Sequence, residues 1–576
     1  MPRLITRRNL LSNGIKSGIG LVLLKDLPTA SLVTASHAEQ TQSNDYQVVY
    51  KRLDEFITRH INEVGAPGLT LAIANREGLL RVSHYGFADL KTGARVGSQT
   101  LFQIGSISKS FVAIAALKLV EEGKLDLHKP VSSYLPWLKI ESNYAPFTTH
   151  HLLTHSAGLS AVPLLTRIAA TPLKVGSEPG SRFVYSNIGY ALLGFLLETQ
   201  DKQPFPDVIR KRVFEPLGMS ASSPVITNAI RERLAVGYAP FYDDRPFPRK
   251  GKLAEAPWVE VPEAAGSIAA PAQDMGAYLQ MLLNGGVGPR GRVLSEKSFQ
   301  LFIKPAIKAP FGGDEASYSY GLWISDSGGQ KLARHTGGMI AFSSAMHADL
   351  TEGFGAFASV NANLRGYRPN AVAKYALDLL RAANRGNELP NAPAPLPPTD
   401  RVSNAAEYAG TYTAPNGDKL VLTNGREQLL LHHKGENIVL EQVASDRFLV
   451  RHPDFELYLL GFVREDKAIV EAFHGPGWWF NDRYTGPRTF SYPKEWEAYA
   501  GHFRCDNPWY GSVRVVLRKG RILLGGQQPL VEIGRGVFRP EGDSNSPERI
   551  SFGTIVNGKA FHANYSGIDF YRTFTP

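Results

Sequence analysis

The order of apolar runs predicts an α/β domain followed by a β-rich C-terminal region. The domain is a sheet with terminal helices and an inserted helical lobe, and the C-terminal region is two small antiparallel barrels. Three observations carry this reading. Strand-like runs near 69–87 and 320–360 bracket a helix-rich middle, with helical periodicity outside them at 48–64 and 367–383. A Pro-rich stretch, Leu389-Pro390-Asn391-Ala392-Pro393-Ala394-Pro395-Leu396-Pro397-Pro398, reads as an extended linker. Beyond it, short β-rich runs alternate with Gly, Asn and Asp turns, and Tyr408-Ala409-Gly410-Thr411-Tyr412 is echoed 91 residues later by Tyr499-Ala500-Gly501-His502-Phe503. One larger barrel is the alternative for this tail. The expected divisions are 1–38 (signal segment), 45–385 (α/β domain), 386–402 (linker), and 403–490 and 491–576 (barrel units).

A chain of 576 residues exceeds one ordinary domain, and 43% hydrophobic with 20% charged residues fits a globular protein. The formal charge of +10 comes without a dense Lys/Arg block or a nucleic-acid motif, so no nucleic-acid partner is expected. Cys505, the one cysteine, excludes an internal disulfide and a Cys-based metal site.

At the N-terminus Thr6-Arg7-Arg8-Asn9-Leu10-Leu11 resembles a twin-arginine export motif. An apolar stretch from Ile19 to Leu24 follows, and Ser36-His37-Ala38 offers small residues at the outer positions of a cleavage site. These predict a periplasmic or secreted protein. The apolar stretch is too short for a stable membrane span.

Val49, Leu53, Phe56, Ile57 and Ile61 lie near one face of the first helix. Leu69 to Ala74 reads as a strand, paired with Arg81 to Phe87 across the Asn75–Gly78 turn. A buried helix then spans Ile104 to Glu122, apolar almost all round and stopped by Gly123. Helix-rich sequence follows from Leu152 to about Leu217 and from Met275 to Leu283. Strands near Tyr320–Ile324, Ala341–Met346 and Phe354–Val360 precede a closing helix over Tyr367–Ala383.

Three motifs carry chemistry. Ser106 and Lys109 stand three apart on the first turn of the buried helix, so hydroxyl and amine can meet. A buried amine is readily made neutral and can then take a hydroxyl proton. A second Ser-x-x-Lys at Ser491–Lys494 is a decoy, since Pro493 spoils a helix. Tyr185-Ser186-Asn187 is the next motif, and Tyr185 alone of 23 tyrosines has Asn two residues on. The tyrosine can relay a proton and the asparagine can hold an amide; the plainer alternative is a turn with Asn187 capping the helix that follows. Third is His335-Thr336-Gly337-Gly338, where glycines let a substrate approach the backbone. The amides of Gly338 and Ser106 can donate to an oxyanion. Lys91-Thr92-Gly93 reads as a surface turn. His432 and His433 would point to opposite faces of a strand, and no metal site is expected.

In that order the three motifs resemble the serine β-lactamase and penicillin-binding-protein superfamily, over residues 45 to 385. Leu152-Leu153-Thr154-His155-Ser156-Ala157-Gly158-Leu159, Pro216-Leu217-Gly218-Met219 and Gly266-Ser267 before Asp274 add to the likeness. The tyrosine motif resembles the class C branch. With its β-rich tail the chain most resembles D-stereospecific aminopeptidases and related esterases. The resemblance implies a β-lactamase/transpeptidase-like mixed sheet with an all-α lobe and the site between them. It implies Ser106 as nucleophile, Lys109 and Tyr185 in base and relay work, Asn187, His335 and Thr336 as substrate-binding, and Ser106 with Gly338 as oxyanion hole. His155 is implied to be structural. The implied activity is amide or ester hydrolysis through an acyl-enzyme, on D-amino-acid peptides among other substrates. Alternatives are a β-lactamase or D-Ala-D-Ala carboxypeptidase, and a non-hydrolysing receptor. No cofactor is implied; the partner is a small-molecule or peptide substrate, and a homo-oligomer is allowed for. Two aromatic loops, Gly475–Phe480 and Asn507–Gly511, are candidates to border the cleft.

Overall fold

A computed structural model describes residues 46–161, 172–309, 316–364 and 366–574; the expected signal segment, 1–38, lies outside them. The central sheet has nine strands: β1 (Gly68–Asn75), β2 (Leu79–Asp89), β3 (Ala94–Arg95), β4 (Ile307–Lys308), β5 (Ser317–Tyr318), β6 (Trp323–Ser327), β7 (Gln330–Gly338), β8 (Ser343–Asp349) and β9 (Phe354–Val360). Their order is β4-β5-β6-β7-β8-β9-β1-β2-β3. The sheet is antiparallel throughout rather than mixed. Neighbours are joined mostly by short turns, and parallel neighbours would need long crossovers. The one distant pairing, β9 with β1, puts Leu69 opposite Val360 and Asn75 opposite Phe354.

Each face of this sheet is covered, which explains why β1, β8 and β9 are buried almost end to end. One face packs on α1 (Gln47–Val64), through Leu53, Phe56 and Ile57, and on the closing helix α6 (Asn370–Asn384). The other meets the larger core formed by α2 (Ser108–Glu121), α4 (Asn187–Asp201) and α5 (Ala272–Leu283). Phe111 of α2 stacks on Tyr278 of α5 at 4.3 Å, and the Tyr278 hydroxyl donates to Ser110 Oγ at 2.7 Å.

The middle is less helical than the sequence suggests. After α3 (Thr149–Leu153), residues 154–161 are irregular, and 172–186 have only the two-residue strand Leu173–Lys174. Gly158, Pro172, Pro179 and Gly180 break the helical pattern there.

The tail is two closed eight-stranded antiparallel barrels, over 410–480 and 501–573. The internal echo has a physical cause. Tyr408 plugs one barrel against Phe448 and Phe462, and Tyr499 plugs the other against Phe538 and Phe552. Gly410 and Gly501, which open the first strands, have φ of 149° and 154°, where a side chain is strained. The linker is extended but pinned: Arg52 donates to the Leu389 carbonyl at 3.0 Å and Arg249 to that of Pro397 at 2.6 Å. The α/β domain and both barrels form one compact unit.

Candidate active site

Ser106 lies on a 3₁₀ turn, Gly105–Ile107, that runs directly into α2. This differs from the continuous helix expected; Ser106 in the turn and Lys109 in α2 straddle the junction but stay three apart on one face. Lys109 Nζ therefore lies 2.9 Å from Ser106 Oγ. The same amine reaches Asn187 Oδ1 at 2.7 Å and the Ala265 carbonyl at 2.7 Å. Lys109 is fully buried, and that burial pushes its amine well below the ordinary lysine range.

Tyr185 approaches from the opposite wall. Its ring centroid is 5.0 Å from Lys109 Nζ, and its hydroxyl is close enough to Ser106 to be influenced by it. Burial pushes the phenol above its ordinary value, against the opposing pull of Ser106. Ser186, not Asn187, caps α4: its hydroxyl accepts from the Gly189 amide at 3.3 Å. That leaves the Asn187 side chain for Lys109.

The strand β7 forms the third side. Gly105 has φ of 56°, and a Cβ there would stand 2.7 Å from the Gly338 amide nitrogen. A Cβ on Gly337 would overlap the Ile104 carbonyl. These contacts set the Gly338 amide beside the serine turn. His335 lies beneath, buried, with both ring nitrogens engaged. Nδ1 donates to the Thr336 carbonyl at 2.7 Å, and Nε2 accepts from the Tyr318 hydroxyl at 3.0 Å. Burial, with Lys109 nearby, pushes it down to about 3, so it is a neutral part of the wall. Thr336 is half-buried on β7 opposite Ala345.

Two groups escape sequence reasoning. Arg368, just before α6, brings its guanidinium against Gly338 and within electrostatic reach of Tyr185, and holds to the Tyr367 carbonyl at 2.7 Å. Its only signal is an isolated Arg-Pro before a helix. The Ala265 carbonyl carries no side-chain signal at all. His155 does more than expected of a landmark: Nδ1 accepts from the Ser186 amide at 3.0 Å, and its ring lies 4.2 Å from that of Tyr185.

In the first barrel His433, His452 and Asp454 converge within 4.8 Å. Their atoms are already committed: His433 Nε2 and Lys434 Nζ bind Asp454 Oδ2 at 2.6 and 2.8 Å, and His452 Nδ1 accepts from the Asp454 amide at 3.2 Å. A lysine in the place of a cation, and a histidine spent as a cap, do not suit a metal centre.

A serine, a buried lysine and a tyrosine converging between a sheet and a helical lobe define an active-serine site. Residues 53–381 match the family model described as Beta-lactamase, and the chain belongs to that family. Penicillin-binding protein 4 of Amycolatopsis lactamdurans is 30% identical over 269 residues, 44% of this chain and 68% of that protein. Esterase EstB of Burkholderia gladioli is 30% identical over 293 residues, 45% of this chain and 71% of its own. The matched stretches span from 42% to 71% of the curated relatives' own length. The octameric penicillin-binding protein homologue from Pyrococcus abyssi superposes with a TM-score of 0.51 at 25% identity, covering 75% of this chain and 100% of that one.

Proposed function

We propose that the protein is a serine hydrolase that opens amide or ester bonds through an acyl-enzyme on Ser106. The observation that carries this is the environment of Lys109. A neutral amine has two hydrogens and one lone pair. The Asn187 and Ala265 oxygens take the hydrogens, so the lone pair faces the Ser106 hydroxyl. Ser106 Oγ then attacks the acyl carbon as its proton passes to Lys109, and Tyr185 relays a proton to the leaving group. The amides of Ser106 and Gly338 receive the oxyanion. Asn187 and Thr336 border the bound acyl group, His335 backs the wall, and water releases the product. A serine-directed fluorophosphonate should label Ser106, and Ser106→Ala should lose both label and turnover; an adduct on Ser108 or Ser491 would refute the assignment.

The substrate reading is a D-amino-acid amide, peptide or ester. A β-lactam or D-Ala-D-Ala substrate is the second reading, favoured by one observation: Arg368 offers the cleft a cation for a carboxylate, which neutral His335 does not. Esters, D- and L-aminoacyl amides and a chromogenic cephalosporin, assayed in parallel, separate the two. A receptor would release one equivalent of product and stop.

The Asn507–Gly511 loop supports a role in limiting substrate size. Trp509 lines a crevice with Gln103, Trp258 and Phe342, beside the strand that enters the serine turn, and Tyr510 is within electrostatic reach of Glu263. The other aromatic loop is spent elsewhere: Trp478 packs on Phe480, Tyr484 and Phe490, and Lys519 of the second barrel lies over its ring.

No helix among the described residues is long and apolar enough to cross a membrane. Export by the twin-arginine route is inferred from Arg7 and Arg8. Lysine at both positions should hold the protein in the cytoplasm, and its appearance outside would point to another route. The Pyrococcus relative is described as octameric; light scattering on this protein tests whether it also self-associates.

A further inference from the structure

The second barrel touches the α/β domain at two separate places. At one, Arg504 pairs with Asp243 at 2.7 Å. At the other, the loop 541–549 reaches the irregular segments 154–161 and 172–186. The second of these delivers Tyr185. It has little regular structure of its own. Its start is tied to the 139–141 stretch, with Leu173 and Val175 donating to the Lys139 and Glu141 carbonyls at 2.9 and 3.1 Å; from Gly176 onward its described backbone bonds to other segments lead to the first: Gly176 to the Gly158 carbonyl at 2.9 Å, Gly180 to that of Ser156 at 2.8 Å, and Val184 to that of His155 at 2.8 Å. Two irregular segments leaning on each other are a weak mount for a proton relay.

The barrel loop grips both. Asp543 accepts from Arg182 Nη1 with both carboxylate oxygens at 2.9 Å, and the Asn545 carbonyl accepts from Arg182 Nη2 at 3.1 Å. Arg182 stands three residues before Tyr185. Glu548 Oε1 accepts from the Ser160 hydroxyl at 2.7 Å and the Ala161 amide at 2.6 Å. Gly176 meets the loop backbone so closely that a Cβ would stand 2.7 Å from the Asn545 oxygen. The loop is itself tied to its barrel, with Arg539 donating to the Asp543 carbonyl at 3.2 Å and Arg549 to that of Glu548 at 2.7 Å.

We propose that the 541–549 loop is a brace for the catalytic tyrosine, with Asp543 and Glu548 as positioning residues that act through Arg182, Ser160 and the Tyr185 segment. The proposal rests on the reading of Tyr185 as proton relay. A half-exposed ion pair is worth little as stability, so the brace acts by position: small misplacements of a catalytic group cost rate.

The test is a mutant cycle on the full-length protein, using p-nitrophenyl acetate and a D-alanyl anilide. Asp543→Ala with Glu548→Gln should lower kcat about tenfold with KM changed less than threefold. In a Tyr185→Phe background the same pair should have almost no further effect, because the brace has nothing left to position. Exchanging the charges, Arg182→Asp with Asp543→Arg, should recover part of the rate lost by Asp543→Arg alone, which guards against a folding defect. Asp243→Ala, which loosens the barrel at its other contact, should leave kcat near normal. An unchanged kcat in the Asp543/Glu548 pair, an equal drop in the Tyr185→Phe background, no recovery on charge exchange, or an equal drop with Asp243→Ala would each overturn the brace. A normal rate for Tyr185→Phe alone would overturn the relay reading with it, whereas a slow Tyr185→Phe beside a normal Asp543/Glu548 pair would overturn only the brace.

Discussion

Tyr185 meets Ser106 as a neutral phenol, since burial raises it while burial lowers Lys109. Opposed shifts on neighbouring groups fit the proposed division of work, in which the amine accepts and the phenol passes a proton on. Tyr185→Phe should therefore cut acyl transfer by about 10²-fold, the scale of lost acid–base catalysis, with the fold intact. A stopped-flow acylation rate near the parent's would leave Lys109 as sole base. His335 makes a different prediction. Burial pushes it down to about 3 from an ordinary 6.5, so between those values the unfolded chain binds a proton that the folded chain does not. Its contribution to stability is complete above pH 6.5 and is lost as pH falls toward 3. His335→Gln should flatten the acid side of a Tm-against-pH curve; an equally steep curve would assign the acid sensitivity to other groups. The serine, lysine, tyrosine and asparagine were legible because their spacing is local or motif-borne. Arg368 and the Ala265 carbonyl were not, because neither belongs to a local pattern and each reaches the site through the fold.

At the scale of elements the site depends on how closely the serine turn approaches β7. Glycine at 105 and 337 lets the two backbones touch, with Gly105 at φ 56°. Gly337→Ala would press a methyl into the Ile104 carbonyl and push turn and strand apart. A displacement on the order of 1 Å at the oxyanion amides should cost about 10²-fold in kcat. The measurement is kcat beside Tm: a large loss in Tm with kcat retained would mean that the contact serves folding alone. Helices α1 and α6, the strands and the repeat of barrels were readable from periodicity and from the Tyr-Ala-Gly echo. The irregular segments around 154–186 were not. Their local composition includes helix-favouring residues, but their hydrogen bonds run to each other, to the 139–141 stretch and to a loop more than 350 residues away.

The whole molecule joins a family α/β domain to two barrels, the second of which contacts the segment that carries Tyr185. Removing everything after Glu388 leaves the two main cores of the α/β domain intact, since both are built from residues before the barrels, apart from Leu389 and Ala392 packed at one edge. That shortened chain should still react at Ser106 with a fluorophosphonate. It should also accept bulkier acyl groups, having lost Trp509 and Tyr510, and turn over more slowly, having lost the contacts on Arg182 and Ser160. An unchanged acyl-size profile in a well-folded shortened chain would make the barrels a spacer. By itself the amino-acid sequence marked the candidate serine, its lysine, the tyrosine motif, the fold class and the doubled barrel, because these are written in short spacings and in periodicity that any local stretch of chain must obey. Only the tertiary structure decided that His335 is neutral and spent, that Arg368 lies against Gly338, and that a barrel loop holds the tyrosine's segment. Burial and contacts between distant residues set charge and position, and neither is visible until the chain has folded.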